Sequence, residues 1–219
     1  MVAIGVNVAL GHVVQYSLQW PLFLDSIGTV LVGALLGPLA GAATGALSNI
    51  LWATVLGDTS ILPYSITAAA IGWAAGYAAS REAFARFSTV ALSGLLVGLG
   101  AALISAPITA YVFGGVTGGG TDYLTSYLTA TGANVLQAAT IQGFVSDPLD
   151  KMISFGVAWG LWRFLQPYFL PPTKGDQRRA PAASSVQTWS FESLQGYSVA
   201  VVVSLLALLL SFVFLPAFG

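Results

Sequence analysis

Long apolar stretches, separated by short polar or glycine-containing breaks, dominate the first 170 positions of the chain. They predict six helices, in residues 2–20, 22–37, 39–56, 62–80, 88–113 and 148–170. The fifth stretch holds the uncharged run "STVALSGLLVGLGAALISAPITAYVF", which exceeds the roughly 20 apolar residues that cross a bilayer. The pattern therefore predicts an all-α fold, a polytopic membrane helix bundle.

The break between the second and third stretches is the dipeptide Gly37-Pro38. Proline lacks a backbone donor and restricts the residue before it, so a helix is interrupted here. Two arrangements fit, a tight hairpin of two short helices or one kinked helix. We favour the hairpin.

Residues 114–144 are harder to place, because glycine and polar side chains interrupt them. The run "GGVTGGG" is too flexible and too poorly hydrogen-bonded to face lipid. Residues 123–144 are long enough to span but carry eight serine, threonine, asparagine and glutamine side chains. Spanning and non-spanning placements both remain possible on length alone.

Charge placement separates these alternatives. Basic residues concentrate in two places and, by the positive-inside rule, both belong in the cytoplasm: Arg81, Arg86, Arg163, Lys174, Arg178 and Arg179. An even number of crossings must separate the two groups, so residues 123–144 should lie on the outer surface or re-enter. The N-terminus is then inside, and the turn at residues 20–25 is outside.

Beyond residue 170 the chain changes character. Residues 171–196 form a polar, proline-containing stretch that predicts a cytoplasmic linker, and residues 197–219 predict an additional transmembrane helix. The first apolar run has neither a basic lead nor a convincing cleavage site, so we expect a retained anchor rather than a signal peptide.

Composition agrees with a membrane protein and excludes several functions. The chain has 219 residues, of which 56% are hydrophobic and only 7% charged, against about 25% charged in soluble domains. The net charge of −1 gives no basic surface for nucleic acid. There is no cysteine, no HExxH motif and no phosphate-binding loop, so we expect neither an enzyme nor a bound metal or cofactor.

A stripe of small or polar residues runs through the second and third stretches, where such a residue recurs at every fourth position. Its members are Asp25, Thr29, Gly33, Gly37, Gly41, Gly45 and Asn49. Such spacing creates a smooth helix face that another backbone can approach closely. We interpret the glycines as helix-packing positions, but the stripe begins with a carboxylate and ends with an amide.

The first stretch places Asn7, Gly11 and Gln15 on one helical face. Two amides facing lipid would be costly, so this face should point into the bundle. There the amides either bond neighbouring helices or line a polar cavity. His12 has no visible ligand partners, and we interpret it as a packing residue.

Ionisable groups near apolar stretches are the sharpest functional signal, because charge at membrane depth is expensive and is usually paired or functional. Asp25 begins the second stretch, and Asp147, Asp150 and Lys151 lie near the start of the sixth. The predicted topology puts all four on the outer side. Alternatively, the two aspartates flanking Pro148 simply cap the helix that begins there.

Three stretches together resemble the substrate-binding S components of energy-coupling factor (ECF) transporters. They are "PLFLDSIGTVLVGALLGPLAGAATGALSNILWA", "FGGVTGGGTDYL" and "DPLDKMISFGVAWGL", in that order, and the resemblance covers residues 1–170. It implies a six-helix membrane core that captures a vitamin or related micronutrient from outside. It also implies partners, namely an ECF coupling membrane subunit and two ATPase subunits.

The resemblance also suggests roles for particular residues. Small residues on the first helix would contact the coupling subunit, and Gly5 and Ala9 are the matching positions. A pocket near the outer face would take its polar groups from Asn7, Gln15, Asp25, Asn49, Asp150 and Lys151. The additional helix at 197–219 departs from the six-helix pattern.

Two other functions remain open. The same bundle could be a ligand-sensing membrane domain, or the chain could be a structural subunit of a larger membrane complex. The second reading would account for the additional helix and the basic linker. The sequence does not identify the substrate, since its polar groups suit several small heterocycles equally well.

Overall fold

The computed structural model describes residues 1–169, and helices joined by short connections make up this part of the chain. It contains seven α-helices and no strand within those residues, which confirms the all-α prediction. The helices are α1 (Val2–His12), α2 (Ile27–Leu36), α3 (Pro38–Val55), α4 (Ser65–Ser80), α5 (Phe87–Tyr111), α6 (Asp122–Ala130) and α7 (Val135–Phe169). The predicted linker at 171–196 and helix at 197–219 lie outside the described residues.

Short helical turns extend or join these elements. A π-helical turn, Val13–Ser17, continues α1, and 3-10 turns at Thr59–Tyr64 and Ala83–Ala85 precede α4 and α5. Five of the six predicted stretches therefore correspond to α1 to α5. The second helix begins later than predicted, since residues 22–26 are non-helical and carry Asp25.

The favoured hairpin between the second and third stretches is confirmed. Gly37 adopts φ 95°, a conformation open to glycine, and Pro38 begins α3. A Cβ added to Gly41 would lie 2.8 Å from the Cα of Gly33, so these residues touch across the turn. Eight residues of one continuous helix would separate them by about 12 Å, so the chain must reverse.

The small-residue stripe packs α2 and α3 against α4, as predicted for its glycines. Added Cβ atoms on Gly33 and Gly41 would lie 2.8 Å and 2.3 Å from the carbonyl oxygen of Gly72 in α4. One on Gly45 would lie 2.2 Å from the carbonyl oxygen of Ala68. The three backbones therefore approach as closely as glycine permits, which is how small-residue faces associate.

The predicted boundaries between helices in residues 123–170 are wrong. Residues 123–144 are not one element: α6 ends at Ala130, and α7 begins at Val135 and runs through Pro148. Proline forfeits one helical hydrogen bond, but the neighbouring helix supports this position, because a Cβ on Gly98 of α5 would lie 2.5 Å from the Cα of Pro148. The nine residues of α6 extend about 14 Å, too short to cross a bilayer.

The bundle has two chemically different ends. Arg81 and Arg86 lie between α4 and α5, and Trp159 of α7 donates a hydrogen bond from Nε1 to the carbonyl oxygen of Phe84 at 2.8 Å. Arg163 stacks over the Trp159 ring at 5.3 Å. The described arginines thus share one end of the bundle, which we call the arginine end.

Charged groups lie inside the bundle beside its apolar core, and large apolar side chains lie on its surface. Asp147, Asp150 and Lys151 are buried, whereas Leu39 is 82% exposed and Leu96 is 59% exposed. Of the described helices, α5 alone is long and apolar enough to span a membrane, while Val2–Ser17 and Ile27–Leu36 are apolar but shorter.

Candidate ligand-binding cavity

A cavity lies between the helices at the end opposite the arginine end. Thr67, near the start of α4, lines it, whereas Arg81 follows the last residue of that helix. The π turn after α1, the segment before α2, and helices α3, α5 and α7 contribute the other walls. The cavity has a volume of about 80 Å³, which is room for several water molecules.

A network of charged groups forms one wall. The Lys151 ammonium donates a hydrogen bond to Asp150 and lies 3.5 Å from Oδ1 of Asp25. Asp150 is fully buried, and its Oδ1 accepts hydrogen bonds from the backbone amides of Phe23 (2.8 Å) and Leu24 (2.7 Å). These bonds attach the segment before α2 to α7, so the network fixes that segment at the cavity wall.

Unpaired polar groups face the same space. Four lining side chains have a buried polar atom with no hydrogen-bond partner, namely Gln15 Nε2, Ser26 Oγ, Thr67 Oγ1 and Gln142 Nε2. A buried donor or acceptor without a partner costs about 1–3 kcal/mol, so such groups are normally satisfied. The other four such atoms in the described residues belong to Trp52, Ser65, Ser154 and Trp162, outside the cavity lining, and we expect a ligand to satisfy those around the cavity.

The glycine-rich run after α5 covers part of the cavity and is held by Asp122. Its carboxylate accepts hydrogen bonds from the backbone amides of Thr117 (2.8 Å) and Gly118 (2.6 Å) and from the Thr117 hydroxyl (2.9 Å). The Gly120 amide donates to the carbonyl oxygen of Gln15 at 3.2 Å. Thr117 and Thr121 consequently line the cavity.

Most of the predicted binding residues come together here. Gln15, Asp25, Asn49 and Lys151 line the cavity, and Asp150 lies directly behind Lys151. The amide of Asn49 donates a 3.4 Å hydrogen bond to the carbonyl oxygen of Ile61. The carboxylate and the amide at the two ends of the small-residue stripe therefore reach the same space from different elements.

Asn7 is placed differently from the prediction, since it does not line the cavity. Its Nδ2 donates to the hydroxyls of Thr29 (2.8 Å) and Ser48 (2.9 Å), and its Oδ1 accepts from the Gly28 amide at 2.8 Å. The side chain thus ties α1 to α2 and α3. Of the two amides predicted to share one helical face, Asn7 links helices, whereas Gln15, in the π-helical turn that continues α1, lines the cavity.

The remaining predicted positions lie on or near α1. Gly5 and Ala9 are half-buried on that helix. His12 stacks on Tyr16 with ring centroids 5.6 Å apart and meets Trp52 edge-on at 6.0 Å, which confirms its role in packing.

The interpretation of Asp147 and Asp150 as helix caps is wrong. Because α7 begins at Val135, Asp147 lies twelve residues along the helix, about 18 Å from its first residue. Asp147 lines the cavity and is 4% exposed. Its Oδ2 accepts a hydrogen bond from the Ser105 hydroxyl at 3.3 Å.

Sequence reasoning also missed Thr67, Ser105 and Gln142 as lining residues. Thr67 and Ser105 are single hydroxyls in apolar stretches, which usually bond the preceding turn of their own helix. Gln142 was grouped with the polar side chains of residues 123–144. Its spacing of five from Asp147 and nine from Lys151 corresponds to rotations of about 140° and 180° around a helix, so spacing gave no signal that it lines the cavity.

Comparison of the chain with models of known protein families, with curated proteins and with solved structures finds no significant match. Within residues 1–169 there is also no cluster of three or more side chains suited to hold a metal ion. The cavity's own geometry and chemistry therefore carry the functional argument.

Proposed function

We propose that this chain is a membrane protein that captures a small polar molecule in the cavity described above. In this proposal it is the substrate-binding subunit of an ECF-type importer, and its ligand is a vitamin or related micronutrient. One observation carries the proposal: four side chains with a buried, unpartnered polar atom line one cavity, beside a network of charged groups. Concave, mostly apolar sites with a few placed polar groups are typical of small-molecule binding.

The buried charges and the apolar outer surface of the bundle support a bilayer as the surrounding medium. Buried ionisable groups with large exposed aliphatic side chains are expected where the solvent is hydrocarbon. Leu39, Ile66 and Leu96 project from three different helices, α3, α4 and α5, so the exposed apolar surface is not one local patch. A protein in water would aggregate through a surface of this kind.

The position of the cavity supports capture from outside the cell. Arginines share the opposite end of the bundle, and the positive-inside rule assigns that end to the cytoplasm. The cavity then opens toward the outer face, where an importer must meet its substrate. In the same arrangement α1 presents Gly5 and Ala9 for contact with an ECF coupling membrane subunit, which would act with two ATPase subunits.

Native mass spectrometry of the detergent-solubilised protein, purified from its native host, tests this function. A retained small molecule together with a membrane subunit and two ATPases would agree with the proposal. Retention of a ligand without ATPase partners would favour a ligand-sensing domain. An empty protein in a fixed complex with other membrane subunits would contradict substrate capture and favour a structural role.

Substitution of Gln142 by leucine gives a sharper test of the cavity. Removing a buried amide that lacks a partner should stabilise the empty protein by about 1 kcal/mol. Losing its hydrogen bond to the ligand should weaken binding by about tenfold. Denaturant unfolding followed by tryptophan fluorescence, and quantification of the retained molecule, measure the two effects.

The matched control is Gln137→Leu on the same helix. Gln137 is exposed, and its Oε1 accepts a hydrogen bond from the backbone amide of Asn134 at 3.3 Å, near the start of α7. The control should lose a little stability and keep full ligand retention, the reverse of the effect at Gln142. Equal behaviour of the two variants would show that Gln142 does not face a ligand.

A further inference from the structure

The charged groups around the cavity do not balance one another. Asp25, Asp147 and Lys151 line it, and Asp150 lies immediately behind Lys151. Three carboxylates therefore surround one ammonium group. An imbalance of charge in a site with low dielectric strongly favours a compensating charge nearby.

Asp150 and Lys151 largely satisfy each other. Asp150 accepts from the Lys151 ammonium and from two backbone amides, so its bonding capacity is used within the wall. The remaining attraction of Lys151 is directed at Asp25, at 3.5 Å. One cation is thus paired with two carboxylates, and although its charge also acts on Asp147, one helical turn away, the two form no ion pair.

Asp147 is the third carboxylate and lacks a cationic partner. Both ion pairs within residues 1–169 involve Lys151, and neither includes Asp147. The carboxylate is 4% exposed, accepts from the neutral Ser105 hydroxyl and faces the cavity. A buried carboxylate of this kind is costly unless a positive charge or strong donors reach it.

Unpaired neutral groups stand near this carboxylate along the cavity. Gln142 precedes it on α7 and has an unbonded Nε2, while Gln15 and Thr67 present unbonded polar atoms from other elements. Tyr16, Phe23 and Tyr64 supply aromatic surface to the same space. The site therefore combines a surplus carboxylate, neutral hydrogen-bonding groups and aromatic rings.

We propose that the ligand carries a positively charged nitrogen, in an amine, an amidine or a cationic nitrogen heterocycle, and that Asp147 is its counterion. This inference rests on the proposed function and narrows it to one substrate class. The ligand cation pairs with Asp147, its polar edge meets the unbonded amides, and its ring lies against the aromatic walls, where faces of aromatic rings attract cations. The alternative is a neutral ligand beside a protonated Asp147 carboxyl group.

Benzamidine and benzamide separate these alternatives, because they have nearly the same shape and differ in charge. Each is added to the purified full chain in detergent after exchange of any retained molecule, and thermal unfolding is followed by tryptophan fluorescence. Benzamidine should raise the unfolding temperature progressively as its concentration increases, and benzamide should not. The small molecule released from freshly purified protein, identified by mass spectrometry, should carry a positive charge at pH 7.

Asp147→Asn keeps the side-chain shape and can keep the hydrogen bond to Ser105. It should weaken binding of benzamidine and of the released molecule at least about tenfold, through loss of one nearby charge. Asp147→Glu should restore part of that affinity. Glu82→Gln, which removes an exposed carboxylate beside Arg81 at the arginine end, should leave affinity unchanged.

Several results would overturn the inference. Equal responses to benzamidine and benzamide, no response to either, or a released molecule that is neutral or anionic would each reject a cationic ligand. A neutral released molecule would leave substrate capture standing. Absence of any released molecule, together with a fixed complex of other membrane subunits, would instead reject the proposed function itself.

Discussion

The backbones of Gly72 in α4 and Gly41 in α3 approach each other closely, and this contact gives a prediction that is independent of function. In Gly72→Ala, the new Cβ would lie 2.1 Å from the carbonyl oxygen of Gly41 and 2.3 Å from its carbonyl carbon. Both are backbone atoms and cannot rotate away. The two helices must therefore separate by about 1 Å before the methyl group fits.

The cost follows from that separation. A gap of 0.5–1 Å forfeits about a quarter to a half of each dispersion contact across the interface, and overpacking costs about 1–3 kcal/mol. The higher helix propensity of alanine offsets at most about 1 kcal/mol of this loss in stability. We therefore expect Gly72→Ala to lower the free energy of unfolding by about 2 kcal/mol.

Gly100→Ala is the matched control, since Gly100 also lies within a helix and no atom comes within 4 Å of its added Cβ. It should raise the free energy of unfolding by about 0.5–1 kcal/mol. Denaturant titration in detergent, followed by tryptophan fluorescence, measures both variants. If Gly72→Ala proved as stable as Gly100→Ala, the close packing of α3 on α4 would be refuted.

Two further predictions concern α1. Asn7→Ala removes three interhelical hydrogen bonds and should lower the free energy of unfolding by about 2 kcal/mol, with ligand retention unchanged; a loss below about 0.5 kcal/mol would contradict its linking role. Gly5→Leu should keep ligand retention but reduce co-purification of the coupling module, whereas Gly160→Leu, at an exposed glycine on α7, should affect neither. Normal assembly of Gly5→Leu would reject that interface.

Much of the helix arrangement could be predicted because apolar stretches and helix breakers are local signals. Gly37-Pro38 predicted a chain reversal, and glycines spaced four apart predicted close packing. The start of α7 could not be predicted the same way. Proline usually marks a boundary, and only contact with Gly98 on another helix allows Pro148 to lie within one.

The cavity was partly predictable for the same reason. Charge in an apolar stretch stands out, so Asp25 and Lys151 were identified before their pairing was known. Asn7 and Gln15 share one helical face and looked equivalent. The partners that distinguish them, such as Ser48 for Asn7, lie more than forty positions away along the chain.

The α2–α3 hairpin also has a consequence for the membrane setting proposed above. Its turn is apolar and exposed at Leu36 and Leu39, and it lies level with Gly76, about one helical turn before the end of α4. Helix α2 is only about 15 Å long, half the thickness of a typical hydrocarbon core. In the proposed membrane setting, local thinning of the bilayer or acyl chains beneath the turn would meet this mismatch, so the position of the protein would depend on the lengths of those chains.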